Sequence, residues 1–278
     1  MNLQKVLFIG GDGGNLPSSQ IRCLDIARRL GCDWVLGIDL VQKIPEKYSV
    51  FVCVKPSFAR DEIAALAKRG KIVWDIVDEI PPRDHIAVYL ASTVAAQEIF
   101  HRFGRVEIIP HHHCNVENLP NPPDLRRPAW IGSCHWRPRF HGIDHDYYDV
   151  LNMQRTDVVR AHRKIGIGLN FRTNQPYQHR LEHQRLLRNF HVAINSGIKL
   201  INCLAFGTPS VSAREPAYCE IAPECTIFST LAKCAHWVKA LQADTGLYNE
   251  LRRKCLRKAP RYHLDVIAEK YRRLLVSL

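Results

Sequence analysis

Hydrophobic positions along the first ~110 residues alternate between two patterns. Short, almost wholly apolar runs recur at Lys5–Gly10 (KVLFIG), Trp34–Ile38, Val50–Val54 (VFVCV), Lys71–Val77 (KIVWDIV), Ile86–Leu90 and Val106–Ile109. Continuous runs of this length suit strands covered on both faces, the signature of a parallel sheet. Between them lie segments with helical spacing. Pro17–Leu30 places Ile21, Leu24 and Ala27 on one face, with Ser18 or Ser19 as the cap and Gly31 as the stop. Arg60–Arg69 ends at Gly70, and Thr93–Phe103 ends at Gly104. Strand and helix in alternation predict a parallel sheet with crossover helices.

Asn115–Pro128 (NVENLPNPPDLRRP) breaks the pattern and reads as a polar, proline-rich linker. Beyond it, Ala129–Gly132, Lys164–Leu169 and Ser210–Ser212 read as strands. Helices are expected from about Tyr147, over Arg180–Asn189, and over Ile198–Phe206 up to Gly207. Four more are expected at Ala217–Ile221, Leu231–Leu241, Tyr248–Lys258 and Leu264–Val276, with a brief strand or turn at Val192–Asn195. The chain carries no solenoid-length repeat. It divides into expected domains at 1–118 and 128–278.

Composition sharpens the picture. Apolar residues make up 46% and charged residues 24%, enough to bury a core and to exclude disorder as the main state. The formal charge of +12 favours polyanionic partners: nucleotide phosphates, anionic glycans, lipid surfaces or nucleic acid. Fourteen histidines add charge on mild acidification. Ten cysteines are scattered without a CxxC, several inside apolar runs such as Cys53 and Cys203. With a first strand in place of a secretion signal, they read as reduced thiols of a cytoplasmic protein. No apolar stretch approaches the ~18 residues of a membrane span, which leaves a peripheral contact with the inner membrane face.

In a parallel sheet, ligands bind beyond the carboxyl ends of the strands, so the residues following each strand carry the chemistry. Gly10-Gly11-Asp12-Gly13-Gly14-Asn15, then Ser19 and Arg22, form a glycine-rich loop entering a helix. Its spacing is not GxGxxG, and a substrate-contact loop fits better than a dinucleotide turn. Asp75, Asp78 and Glu79 close a strand and offer a general base for a hydroxyl, or an acidic cap. His111-His112-His113-Cys114 contains four ligand-type side chains, but adjacent residues cannot all face one ion. One histidine facing a ligand at the mouth of a cleft is the better expectation. The strongest set is Asn195–Val211, where a polar turn opens a helix carrying Lys199 in its first turn. Exposed amides, the helix dipole and an ammonium together suit a diphosphate.

The block Lys199-Leu200-Ile201-Asn202-Cys203-Leu204-Ala205-Phe206-Gly207-Thr208-Pro209-Ser210-Val211, followed by Glu215 and Glu220, resembles the K-L-x-E-A-x-A-x-G-x-P-V-V region of GT-B-fold glycosyltransferases of the broad group 1 class. The first strand and its glycine-rich loop, Tyr89–Thr93, Val106–His111 and Ala129–Ser133 are similar to further parts of that family. The resemblance implies an α/β chain of two Rossmann-like domains facing across a cleft. The family's Glu-x7-Glu pair falls on Ile194 and Asn202 here, so both carboxylates are missing.

Carried over by position, the resemblance implies that Lys199 neutralises a donor diphosphate and that Ser196 and Gly197 offer it backbone amides. Gly132, Ser133 and Arg137 would line the cleft. Asn202, Glu215 and Glu220 would meet ribose or sugar. Asp12, Asp78 and His111 would be catalytic, with Gly13, Gly14, Asn15, Ser19 and Arg22 on the acceptor side. It implies transfer of a sugar from a nucleotide-sugar to an acceptor hydroxyl in glycan or glycoconjugate synthesis, with no resident cofactor and no metal. The acceptor would be an anionic glycan, a lipid-linked glycan or a nucleic acid. Two other readings remain open: a sugar-nucleotide epimerase on the same fold, and a nucleic-acid-binding or nucleic-acid-modifying protein. The last rests on Arg126-Arg127, Arg137, Arg139, Arg163-Lys164, Arg172 and Arg180 interleaved with Trp136, Phe140, Tyr147 and Phe171.

Overall fold

The computed structural model describes residues 3–11, 18–37, 43–77, 81–133, 137–150, 153–172 and 195–278. The chain divides into two compact units. One comprises Met1–His112, Ile194–Ser196 and Leu264–Leu278; the other comprises His113–Ala193 and Gly197–His263.

The first unit is a Rossmann-like layer built on an all-parallel sheet. Its strands are β1 (Val6–Gly10), β2 (Asp33–Leu36), β3 (Val50–Val54), β4 (Lys71–Asp75), β5 (Ile86–Ala91) and β6 (Val106–Ile108), in the order β2-β1-β3-β4-β5-β6. Each residue of the central strands β1 and β3 is buried, as continuous apolar runs require. Strand β2 forms an edge and leaves Trp34 37% exposed. The crossovers carry helices α1 (Asp25–Leu30), α2 (Arg60–Arg69) and α3 (Val94–Phe100). Gly31 closes α1 in the left-handed conformation (φ 69°), and Thr93 caps α3 by accepting the Ala96 N–H. The expected cap at Ser18 is absent. Ser18 is itself helical, and a π turn over Ser19–Leu24 leads into α1. The Ser19 hydroxyl instead donates to the Gly11 carbonyl.

The helix Leu264–Ser277 was expected in the second domain, but it belongs to the first unit. Its buried residues Ile267, Ala268, Tyr271, Leu274 and Leu275 repeat at helical spacing. They join the core of Val6, Phe8, Ile26, Ala27 and Val52. An amphipathic pattern identifies the buried face of a helix but not which sheet it covers.

The second unit is another Rossmann-like layer. It carries β7 (Pro128–Gly132), β8 (Asp146–Asp149), β9 (Ile167–Asn170), β10 (Ser210–Ser212) and β11 (Thr226–Phe228), all parallel, in the order β11-β10-β9-β7-β8. Its helices are α4 (Arg155–His162), α5 (Ile198–Phe206), α6 (Pro216–Ile221), α7 (Cys234–Ala243) and α8 (Thr245–Lys258). The helix expected from Tyr147 is strand β8. Tyr147 and Tyr148 pair with β7, and the Tyr147 ring stacks on Trp130 at 5.5 Å. The helix expected over 180–189 lies outside the described residues.

The presumed linker is fixed to the second unit. Asn115 donates to the Ala205 carbonyl, and Asn121 donates to those of His162 and Ile165. Both asparagines are buried, and their amides bond backbone carbonyls of the second unit. The unit boundary therefore falls at His112/His113, ahead of the polar stretch.

Candidate functional site

At the carboxyl edge of the second sheet, α5 starts from Gly197 with φ 66° and ψ 14°. That left-handed backbone favours glycine, and a Cβ there would also push the end of the Ile221 side chain, 2.1 Å away, aside. The first amides of α5 lack intrahelical acceptors and carry the positive end of the helix dipole. Lys199, in that first turn, sets its ammonium 4.2 Å from the centre of the Trp130 ring. Gly132 ends β7 beside it. A Cβ at Gly132 would lie 2.7 Å from Lys199 Nζ and 2.6 Å from the Trp130 ring. Glycine at that position keeps room for the cation.

Arg172, just past the end of β9, completes the cluster. Its Nε lies 4.0 Å from an Oε2 of the buried Glu215. Burial, and secondarily the charge of Arg172, push the Lys199 ammonium down to about 7, while Glu215 opposes the shift. Lys199 and Arg172 thus both lie within electrostatic reach of the Glu215 carboxylate. Arg172 was seen in the sequence only as one of many basic residues, because the two residues after β9 carry no motif.

The remaining donor-side expectations separate. Ser196 is buried and precedes Gly197, while Ser133 is partly exposed next to Gly132. Arg137 is exposed and lies over the Tyr147 ring at 4.2 Å. Glu220 is exposed on α6. Asn202, expected at a ribose, is buried, and its Oδ1 accepts the Cys114 N–H at 2.9 Å. That bond ties α5 to the backbone at Cys114.

The carboxyl edge of the first sheet carries a different arrangement. Arg22, expected to face an acceptor, is fully buried and bonded throughout. Nε and Nη2 donate to the two Asp75 oxygens at 2.7 and 2.9 Å, and Nη1 donates to the carbonyls of Ile109 and Pro110. The Tyr271 hydroxyl adds a third bond to Asp75 at 2.7 Å. Asp75 is therefore an anchor for three segments and not a general base. Ser19 is buried and occupied with Gly11. A Cβ at Gly11 would stand 1.8 Å from the Lys55 carbonyl, so only glycine lets the ends of β1 and β3 meet. Asp12, Gly13, Gly14, Asn15, Asp78 and Glu79 lie outside the described residues.

The run His111–Cys114 disperses. His112 Nε2 lies 2.9 Å from the Ile21 carbonyl, and the His113 ring meets His263 edge to face at 5.5 Å. The Cys114 backbone N–H is the one bound by Asn202. His111 is buried, and burial, then Arg22, His112 and Lys55, hold its ring well below the usual histidine range. Among the described residues, no three His, Cys, Asp or Glu side chains are grouped to hold a metal ion, and no helix is long and apolar enough to cross a membrane.

Comparison with solved structures assigns this pair of parallel layers. HepE of Anabaena, solved with UDP-glucose, matches at a TM-score of 0.62 with 11% identity, over 98% of this chain and 100% of that one. Sucrose-phosphate synthase of Thermosynechococcus elongatus matches at 0.62 with 9% identity, over 99% and 100%. An alpha-glucosyltransferase solved with UDP-glucose and DNA containing an abasic site matches at 0.57 with 11% identity, over 98% and 99%. The chain has the GT-B fold. On that GT-B fold, Gly132, Arg172, Lys199 and Glu215 occupy the carboxyl edge of the second sheet, and Arg22, Asp75 and His111 occupy that of the first. No protein-family model and no curated protein matches the chain.

Proposed function

We propose that this GT-B chain transfers a sugar from a nucleoside-diphosphate sugar to an acceptor hydroxyl, with the donor diphosphate held by Lys199, Arg172 and the first turn of α5. The supporting observation is the crowding of two cations, a helix N-terminus and a Cβ-free Gly132 at one strand edge. HepE and the alpha-glucosyltransferase, which share the fold, were solved with UDP-glucose.

In this reading the acceptor oxygen bonds to the anomeric carbon as the bond from that carbon to the diphosphate oxygen breaks. The bonding pair leaves with the nucleoside diphosphate, and the hydroxyl proton passes to solvent. Lys199 and Arg172 meet charge as it develops on the leaving group, where preorganised donors act most strongly. Two cations and a helix terminus replace the divalent ion that a diphosphate otherwise recruits, so turnover proceeds in chelator.

The test is a thermal-shift series with UDP, GDP, ADP, CMP and TDP, with and without EDTA. A rise of several degrees with one nucleoside diphosphate, unchanged by EDTA and lost in Lys199→Met, supports the assignment. UDP-glucose turnover then follows by release of UDP. No shift with any nucleotide refutes the donor site.

A further inference from the structure

Among the described residues, two buried polar side chains at the carboxyl edge of the first sheet, Ser92 and His111, have no hydrogen-bond partner. Ser92 directly follows β5, and His111 comes three residues after the end of β6. These strands are neighbours, and the Ile109 N–H donates to the Ala91 carbonyl at 2.9 Å. The two strand ends therefore run side by side, about 5 Å apart. Ser92 is 4% exposed and His111 is 3% exposed. Neither the Ser92 hydroxyl nor either ring nitrogen of His111 is bonded by the protein.

Several other polar side chains at this edge are engaged. Arg22 and Asp75 bind each other, Tyr271 completes Asp75, Ser19 bonds Gly11, and Thr93 caps α3. Polar groups left unbonded in such a place oppose folding, and native chains keep few of them. Ser92 and His111 both follow adjacent strands at the edge where parallel sheets take ligands.

We propose that Ser92 and His111 form a subsite for the hydroxyl groups of a neutral sugar or polyol acceptor, an inference that rests on the transferase reading above. An uncharged imidazole offers one donor and one acceptor, and a serine hydroxyl offers both. Vicinal hydroxyls match that set. An ionised phosphodiester, which has no P–OH and only accepts, would meet the imidazole lone pair and leave it unbonded. The groups facing His111 are Arg22 from the segment before α1, Lys55 after β3 and the adjoining His112, and all three oppose a proton on its ring. The carboxylate of Asp75 is already bonded by Arg22 and Tyr271.

The full chain labelled with 15N-histidine tests this directly. The His111 ring signals are those lost from the spectrum of His111→Phe. Methyl glucoside and myo-inositol are the probes, with inorganic phosphate in a parallel titration. Saturable movement of the His111 nitrogens with a polyol, reduced at least tenfold in apparent affinity by Ser92→Ala, is the expected result. Both variants should also keep or raise the melting temperature of the free protein, since each deletes unbonded buried groups. Three results would overturn the subsite: no movement with either polyol, movement with phosphate instead, or a fall of several degrees in both variants, which would mean a structural water fills the place. UDP binding is measured on the same wild-type sample. If UDP fails to bind while the polyol shifts His111, the donor assignment falls and the subsite stands.

Discussion

Replacing Asp75 with alanine should cause one of the largest stability losses available to a single substitution in the first unit. The carboxylate takes two bonds from Arg22 and one from Tyr271, and neither side chain of the ion pair reaches solvent. Removing it strands a fully buried guanidinium, which in comparable settings costs about 3–5 kcal/mol. For a unit of roughly 130 residues, the entropy of unfolding is about 0.27 kcal/mol per degree. The transition of that unit should therefore fall by about 10–20 °C in calorimetry. Tyr271→Phe removes one bond of three and should lower it by only about 4 °C. The double variant Arg22→Met/Asp75→Leu removes both charges, and it should recover most of what Asp75→Ala loses. A drop under about 3 °C in Asp75→Ala, or a double variant no more stable than the single, would refute the claim that an unpaired buried charge dominates this site.

Further outcomes follow from the same geometry. Lys199→Met should weaken UDP binding about 10–100-fold by calorimetric titration, the effect of one charge-assisted contact. Because the free ammonium titrates at about 7 and a bound diphosphate raises that value, affinity should be full below pH 7 and decline as pH rises through the raised value. Binding near pH 8 should take up a proton, and Lys199→Met should flatten both effects. His162, buried against Phe206 in a parallel stack at 5.2 Å, is pushed down to about 3 by burial. The unfolded chain protonates this histidine near pH ~6.5 while the native one does not, so stability is complete above that pH and falls by about 1.4 kcal/mol per unit below it. His162→Gln should reduce the slope of melting temperature between pH 4.5 and 6.5. Asn202→Ala leaves the buried Cys114 N–H unbonded and should lower stability by about 1–3 kcal/mol, read by urea denaturation.

Much of this molecule could be read in its sequence where local signals suffice. Strand β3 and helix α2 coincide with their expected bounds, because an all-apolar run and a helical repeat stopped by glycine are each complete within a few residues. Strand β8 was misread because Asp146-Tyr147-Tyr148-Asp149 shows no apolar run. Its conformation comes from pairing with β7 and from the Trp130 stack. Lys199, Gly132 and Gly197 were singled out from their place in a motif, and Lys199 does lie beside Gly132 at the end of β7. Arg172 and the Arg22–Asp75 pair were not, because their meaning is relational. Arg22 and Asp75 are 53 positions apart, and each alone looks like a surface charge at the mouth of a cleft.

The position of Leu264–Ser277 in the first unit sets an order of events during synthesis. Some 110 residues emerge from the ribosome carrying Arg22 and Asp75, but Tyr271 and the apolar face around it are made only after the whole second unit. The first unit to be translated is thus the last able to close. In the interval its α1 face is uncovered, and a nascent chain held short of residue 264 should be captured by chaperones and cut by proteases.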